Sequence, residues 1–346
     1  MADKKRINLA LQGGGAHGAF TWGVLDRLLS DEDLDIAAIS GTSAGALNGA
    51  ALKAGMIEGG RAGARDRLDW LWREIGARPD MRIPEWMAPF SLASISKSME
   101  LSVPFMAADM WSRMVSPYAY GPLYRNPLEP IVSQFNYDEV CAENGEGPCL
   151  FVCATKVRSG KVKVFKDSEI TTEAILASAC LPTVFQAVSV EDPETGLAED
   201  YWDGGYTGNP ALFPLFNDPL PEDIVVVNIN PLDRTETPRS AQDIQNRINE
   251  ISFNSSLLRE LRAIEFVQRL IQQGKVSDGE MRRVLIHMIA DDGLMNDLSV
   301  ATKLIPTPYT LARLKEAGQR AADDFLSAHR DDLNKRSSLN AVEMYQ

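Results

Sequence analysis

The sequence predicts an α/β fold in which a mainly parallel central sheet is flanked by helices. Residues 1–55 alternate an apolar run, a glycine-rich turn and a helical pattern, and then repeat that order. Such alternation is typical of βαβ units, whose strands pair in parallel. The chain has 346 residues, 45% of them hydrophobic, which is enough to bury a large core.

The first two strands are expected at residues 7–11 and 36–40, each followed by a helix that starts after glycine. Further strands are predicted at Leu150–Ala154, Val162–Phe165, Ile224–Ile229 and Val284–Ile289. Helices are predicted at Ala19–Leu29, Ala64–Ile75, Thr172–Ala179 and Ile244–Gln272. The last of these has apolar residues at near-helical spacing, which favours a core-packing face over a membrane or partner surface.

A first glycine-rich turn, Gly13-Gly14-Gly15-Ala16-His17-Gly18, has two interpretations. Its run of backbone N–H groups without side chains suits an anion. Gly13, Gly15 and Gly18 also fit the dinucleotide fingerprint G-x-G-x-x-G, which needs an acidic residue at the end of the next strand. That strand ends in Gly41 and Thr42 instead, so dinucleotide binding is the distant alternative.

A second turn, Gly41-Thr42-Ser43-Ala44-Gly45, fits the nucleophile-elbow pattern G-x-S-x-G between a strand and a helix. Glycines at 41 and 45 remove Cβ atoms that would collide where strand and helix turn back on each other. Ser43 would then lie near a helix N-terminus, whose dipole favours negative charge. The alternative is a small-residue turn that serves only close packing.

A serine needs a base to become a nucleophile, and the chain has 3 histidines, His17, His287 and His329. His329 is expected on a solvated helix and His287 inside a strand, while His17 is expected beside the anion cradle. Asp203, in Asp203-Gly204-Gly205, is the other candidate base. A carboxylate is a weak base unless its site is desolvated, and an Asx turn that caps its own loop explains Asp203 equally well.

With these motifs in order, the chain resembles the patatin-like phospholipases, also called patatin-like acyl hydrolases. The resemblance covers roughly residues 6–215. It rests on the glycine loop, the elbow, the D-G-G turn and a fourth stretch. That fourth stretch is Ala177-Ser178-Ala179-Cys180-Leu181-Pro182-Thr183-Val184-Phe185. The family has a three-layer α/β/α fold and a Ser–Asp dyad without histidine, so the resemblance implies Asp203 as the base.

The resemblance implies that Ser43 attacks an ester carbonyl while Asp203 accepts the serine proton. The oxyanion would be held by the amides of Gly13, Gly14 and Gly15, with that of Ala44, and oxyanion donors are worth ~3–4 kcal/mol each. Gly18, Gly41, Gly45, Gly204 and Gly205 would be structural members of the motifs. Family members often carry Arg or Lys where His17 stands, so His17 is assigned an auxiliary role.

Three units are expected along the chain. A catalytic core spans 6–215, residues 216–334 complete the same globule, and 335–346 form a tail. Within the core, residues 79–125 are rich in proline, methionine and aromatic residues, which suits a cap that lines an acyl pocket. An irregular insertion that merely covers the sheet is the alternative. Residues 191–200 are expected to form an exposed turn.

A charge of −13 argues against nucleic acid and against strong docking on anionic membranes, though not against transient membrane-surface contact. No signal peptide or apolar membrane span is evident, and the 4 cysteines lack C-x-x-C spacing, so a cytoplasmic location is expected. No cofactor or metal is expected. The predicted substrate is a fatty acyl ester or phospholipid, with thioesters or storage polyesters as the alternative.

Overall fold

The computed structural model describes residues 4–76, 91–136, 147–192, 196–234, 237–239, 241–277 and 279–345. Its single large sheet has eight strands. They are β1 (Lys5–Leu11), β2 (Leu34–Thr42), β3 (Cys149–Lys156), β4 (Val162–Lys166), β5 (Val188–Glu191), β6 (Ala198–Asp203), β7 (Asp223–Val227) and β8 (Leu285–Ile289).

The strand order is β5-β6-β3-β2-β1-β7-β8, with β4 paired to β3. Strands β3, β2, β1, β7 and β8 run parallel to one another, whereas β4 and β6 pair antiparallel with β3, and β5 with β6. The carboxyl ends of β1 and β2 therefore meet at one edge of the sheet. Both glycine-rich turns follow these ends, so they lie side by side.

Helices cover both faces of the sheet. They are α1 (Gly18–Leu29), α2 (Ala44–Ile75), α3 (Leu92–Glu100), α4 (Val103–Met114), α5 (Glu129–Val132), α6 (Thr172–Ser178), α7 (Ala241–Gln272), α8 (Asp292–Asn296), α9 (Val300–Leu304), α10 (Pro308–His329) and α11 (Ala341–Tyr345). Short 3-10 turns lie at Gly15–His17, Pro117–Leu123, Asp167–Glu169, Gly204–Tyr206 and Phe213–Phe216.

Strand residues alternate between two hydrophobic cores, which is the period-2 pattern of a sheet buried on both sides. Leu9 and Leu11 of β1 pack with α1, α2 and α10. Ala10, between them, packs in a second cluster with Leu257 and Leu261 of α7. These two cores and the sheet between them give the three-layer α/β/α architecture, so the predicted fold class is confirmed.

Element positions follow the sequence expectations closely, with informative exceptions. The helix predicted at Ala64–Ile75 is the second half of α2, which begins at Ala44 and is interrupted by non-helical backbone at Gly59 and Gly60. The turn expected at 191–200 is shorter than predicted, because β5 extends to Glu191 and β6 starts at Ala198. Cross-strand pairing of this hairpin overrides a local sequence rich in turn-forming residues.

Two expected regions need comment. The first part of the proposed cap, 79–90, lies outside the described residues. The segment expected as a tail contains α11, and Tyr345 Oη donates a hydrogen bond to Glu265 of α7 at 3.2 Å. No helix in the described residues combines the length and the apolar character needed to cross a membrane.

Candidate active site

Ser43 occupies the strained turn between β2 and α2. Its φ of 54° and ψ of −121° lie in a region that non-glycine residues rarely adopt. A Cβ on Gly41 would lie 2.6 Å from the Gly45 carbonyl oxygen, and one on Gly45 only 2.1 Å from that of Leu11. Strand and helix therefore approach too closely for any other residue at either position, which is the geometry of a nucleophile elbow.

The elbow is held in place by Ser178, at the end of α6. The Ser43 amide donates to Ser178 Oγ at 2.9 Å, and Ser178 Oγ donates to the Cys153 carbonyl of β3 at 2.6 Å. Ser178 lies in the stretch that the sequence analysis matched to the family, but no role was assigned to it there. Because its hydroxyl uses both hydrogen-bonding capacities, it fixes the serine backbone relative to the sheet.

Asp203, the last residue of β6, is fully buried. Its Oδ1 accepts a hydrogen bond from the Gly205 amide at 2.7 Å, whereas Oδ2 has no hydrogen-bond partner among the described residues. The two interpretations of Asp203 are therefore compatible, since one oxygen caps the D-G-G turn and the other remains available. A Cβ on Gly205 would lie 2.9 Å from Oδ1, so glycine is needed for this cap.

Burial raises the pKa of Asp203 to about 7, while hydrogen bonding from the Gly205 amide and from the Ser43 side chain lowers it. The serine hydroxyl thus lies near the carboxyl, although Oδ2 lacks a partner of normal hydrogen-bond geometry. Catalytic hydrogen bonds are often long before substrate binds. A carboxyl with this pKa is ionised in a large fraction of molecules at neutral pH and is basic enough to accept a proton.

The glycine loop lies directly against the elbow, because a Cβ on Gly13 would be 2.7 Å from Ser43 Cβ. The Gly13 amide donates to Asn209 Oδ1 at 2.7 Å, and its carbonyl accepts from Asn230 Nδ2 at 2.7 Å. Both sides of Gly13 are therefore engaged by buried asparagines. The Gly13 amide, one of the proposed oxyanion donors, therefore already donates a hydrogen bond within the protein.

The remaining proposed donors are differently placed. No hydrogen bond between described residues uses the amides of Gly14, Gly15 or Ala44. Gly15 has φ 58° and its Cβ would meet the Lys303 carbonyl oxygen at 2.5 Å, so the sharp bend after Gly14 requires glycine. Ala44 is the first residue of α2, where amides have no partner within the helix.

His17 is buried beneath the loop and its hydrogen bonding leads away from Ser43. Its Nε2 lies 2.8 Å from Thr302 Oγ1, and that hydroxyl donates to the Ser299 carbonyl at 2.7 Å. Because the threonine proton is used there, Nε2 carries the histidine proton and donates it. Burial, followed by the charges of Lys303 and Arg234, holds the pKa of His17 well below its ordinary value.

Positive charge near the loop comes from residues that the sequence analysis did not identify. Lys303 Nζ donates to Asn230 Oδ1 at 3.2 Å and lies 3.6 Å from Glu250 Oε1. Arg234 and Arg247 pair with the same Glu250. Burial lowers the pKa of Lys303, while Glu250 raises it. The buried His17 therefore lies near the cations Lys303 and Arg234, whose charges lower its pKa.

An apolar cavity of about 550 Å³ lies against α7. Thr207 and Ser256 are among its lining residues, together with Phe213, Ile264 and Val267. Ser43, Asp203 and the glycine loop do not line it. It is therefore not the place where a substrate carbonyl would meet the serine.

Two solved structures are among those that show a distant similarity to this chain. VipD from Legionella pneumophila has 13% sequence identity and a TM-score of 0.41, and the match covers 94% of this chain and 67% of VipD. Full-length ExoU, solved with full-length SpcU from the type III secretion system of Pseudomonas aeruginosa, has 14% identity and a TM-score of 0.34. That match covers 93% of this chain but 53% of ExoU, so this chain spans about half of ExoU's length.

These structural similarities are too distant to carry an argument, and a comparison with curated proteins gives no match. The family comparison is more informative. The model described as patatin-like phospholipase matches residues 9–216, more than half of the chain and all of the motif residues described above. The chain therefore belongs to the patatin-like phospholipase family.

Proposed function

We propose that this protein is a serine-dependent lipid acyl hydrolase of phospholipase A or lysophospholipase type. The observation that carries the proposal is the pairing of a strained, elbow-mounted Ser43 with a buried Asp203 whose pKa is raised to about 7. A buried carboxyl with one unpartnered oxygen beside a serine on a tight turn is costly for stability. Such costs are typical of catalytic sites.

In the proposed reaction, Ser43 Oγ attacks the ester carbonyl carbon and its proton passes to Asp203 Oδ2. The negative charge that develops on the carbonyl oxygen is stabilised by the amides of Gly14, Gly15 and Ala44. Collapse of this intermediate breaks the ester bond. The proton on Asp203 passes to the departing alcohol oxygen, which leaves an acyl group on Ser43.

Deacylation reverses these roles with water. Asp203 accepts a proton from water as the water oxygen attacks the acyl carbon, and the same amides stabilise the second oxyanion. The bond to Ser43 Oγ then breaks, the serine recovers a proton from Asp203, and the fatty acid is released. Neither step requires a metal or a cofactor, and a neutral His17 takes no part in proton transfer.

The direct test is fluorophosphonate labelling of the purified protein, with the modified peptide located by mass spectrometry. A single adduct on Ser43, absent from Ser43→Ala, supports the proposal. A folded protein that gives no adduct with short probes contradicts it. Asp203→Asn is expected to label much more slowly, and Asp223→Asn is the matched control, because Asp223 is an equally buried carboxyl that pairs with His287.

A panel of substrates identifies the acyl donor that the protein prefers. Phosphatidylcholine and lysophosphatidylcholine are compared with an acyl thioester and with a poly(hydroxyalkanoate), each incubated with the parent protein and with Ser43→Ala. Faster turnover of the phospholipids supports the proposed class. Preferential cleavage of the thioester or the polyester would support the proposed Ser–Asp dyad but contradict the proposed substrate class.

A further inference from the structure

The segment 101–120 presents an unusual concentration of exposed apolar side chains. In helix α4, Val103, Met106, Met110 and Met114 recur at helical spacing and are between 53% and 78% exposed, while Phe105 is buried and anchors the helix. We call the following residues the apolar cap surface: Leu101, Val103, Met106, Met110, Trp111, Met114, Tyr118 and Tyr120. Single exposed apolar residues are ordinary, but a group of this size marks an interaction site.

Further exposed apolar residues lie on α7 and at the end of α9. Ile244, Ile248 and Ile251 of α7 are 43–54% exposed at helical spacing. The carboxyl of Glu100, at the end of α3, is near enough to Asp243, near the start of α7, for this like charge to raise the pKa of Glu100. On another side, Ser96 of α3 accepts a hydrogen bond from the Ser299 amide at 2.8 Å, next to exposed Leu304 and Ile305.

The apolar cap surface belongs to a segment that is anchored on both sides of the candidate active site. At one end, α3 contacts α9, whose Thr302 binds His17 under the glycine loop. At the other end, Tyr118 Oη accepts from the Ala187 amide at 3.0 Å, in the segment that leads from Ser178 to Asp203. Molecules bound to the apolar cap surface would therefore lie close to Ser43.

The chemistry of the surface suits a lipid interface. Methionine, tryptophan and tyrosine combine apolar area with adaptable shape or a polar edge, which suits the boundary between acyl chains and head groups. Trp111 Nε1 and Tyr120 Oη are 3.1 Å apart, so these polar edges lie together as they do at a membrane interface.

The surrounding charge identifies which lipid surface fits. Asp109 and Asp243 both lie near Glu100, beside the apolar residues; burial and these two like charges raise the pKa of Glu100, while Lys97 lowers it. The chain as a whole carries a formal net charge of −13 at pH 7. An anionic membrane would repel such a region, since juxtamembrane attraction depends on lysine and arginine.

We propose that the apolar cap surface docks on a neutral, zwitterionic phospholipid surface and delivers lipid to Ser43. The proposal deepens the proposed function and rests on it only for the fate of the bound lipid. Docking itself does not require turnover. An experiment can therefore contradict docking of the apolar cap surface without contradicting the proposed hydrolase function, and the reverse.

The test is sedimentation of the full chain carrying Ser43→Ala with phosphatidylcholine vesicles. Catalysis cannot then alter the lipid. The test variant adds Met106→Ser, Met110→Ser and Met114→Ser. The matched control adds Leu197→Ser, Phe266→Ser and Met281→Ser, whose side chains are 65%, 51% and 47% exposed outside this region. In the background with Ser43 intact, hydrolysis of a short monomeric ester reports folding and the dyad.

We expect the methionine variant to lose at least tenfold in vesicle partitioning, while the control variant partitions like its parent. Hydrolysis of the monomeric ester should be unchanged in both. Vesicles containing equimolar phosphatidylglycerol should bind the parent more weakly than phosphatidylcholine alone. Equal binding by the methionine variant, tighter binding to the anionic vesicles, or a parent dimer that the methionine substitutions dissociate would each overturn the proposal.

Discussion

Asn209 Oδ1 accepts the hydrogen bond of the Gly13 amide at 2.7 Å and thereby joins the turn after the D-G-G motif to the glycine loop. The same asparagine is fully buried, and its own amide donates to Ser256 Oγ at 3.1 Å. The turn that carries Asp203 and the glycine loop are thus joined by buried hydrogen bonds. With Gly13 engaged in this way, the next two amides of the loop remain available for substrate.

We expect Asn209→Ala to lower kcat by about 10–100-fold with little change in KM, because a displaced loop weakens donors that act mainly in the transition state. Steady-state kinetics and the rate of fluorophosphonate labelling both measure this loss. Asn254→Ala is the control. Asn254 is a buried asparagine of the same network that contacts Asn230 and Pro231 but not the loop amide. Equal losses in the two variants would argue for a general structural role.

The pH dependence of activity should follow Asp203. Its pKa is raised to about 7 by burial, and only the ionised form accepts the serine proton. We therefore expect kcat/KM for a monomeric ester to rise with pH, reach half its plateau near pH 7, and fall about tenfold per pH unit well below it. A rate profile that is flat from pH 5 to 9 would exclude Asp203 as the base.

The same carboxyl should limit stability at high pH. A pKa of about 7 in the folded chain, against 3.8 for an ordinary aspartate, means that folding binds a proton between these values. Stability is therefore lost as pH rises from 4 to 7, by up to several kcal/mol, at about 1.4 kcal/mol per pKa unit. Asp203→Asn should raise the melting temperature at pH 8 and leave it nearly unchanged at pH 4. Destabilisation at both pH values would contradict this.

His17 should affect activity without setting its pH profile. Its pKa is held well below the ordinary value, so the ring is neutral and its Nε2 proton is donated to Thr302. We expect His17→Ala to reduce kcat by less than about tenfold through loss of packing under the loop, with the profile still centred near pH 7. Complete loss of activity in a folded variant would restore histidine as the candidate base.

The glycines of the site could be predicted from sequence because they recur at short, recognisable spacings. Gly41 and Gly45 mark the elbow, and Gly204 and Gly205 mark the turn that carries Asp203. Each of these glycines sits where a Cβ would meet another atom at 2.9 Å or less. The spacing of these glycines is recognisable in the sequence, although the atoms that exclude a Cβ at Gly45 and Gly204 belong to the distant Leu11 and Cys153.

The contacts between residues that are distant in sequence have no comparable sequence pattern. Lys303 and Asn230 lie far from the glycine loop in sequence, yet they are hydrogen-bonded to each other, and Asn230 binds the Gly13 carbonyl. The pairing of β7 with β1 brings Asn230 to the loop, whereas Lys303 reaches it from α9. The β5–β6 hairpin was likewise hidden, since its strands are short and pair at the sheet edge. A single asparagine or lysine among polar residues gives no pattern from which either contact could be inferred.

The glycines of the elbow provide a test of the fold itself. Gly45→Ala would place a Cβ 2.1 Å from the Leu11 carbonyl oxygen, so β1 and α2 would have to separate. We expect a loss of at least ~2 kcal/mol in the free energy of unfolding, since overpacking a rigid backbone contact is rarely relieved. Gly59→Ala is the matched control in the same helix, because nothing lies within 4 Å of its Cβ position and it should be tolerated. Denaturant unfolding measures both, and equal stability of the two variants would show that the backbones at the elbow are further apart than described.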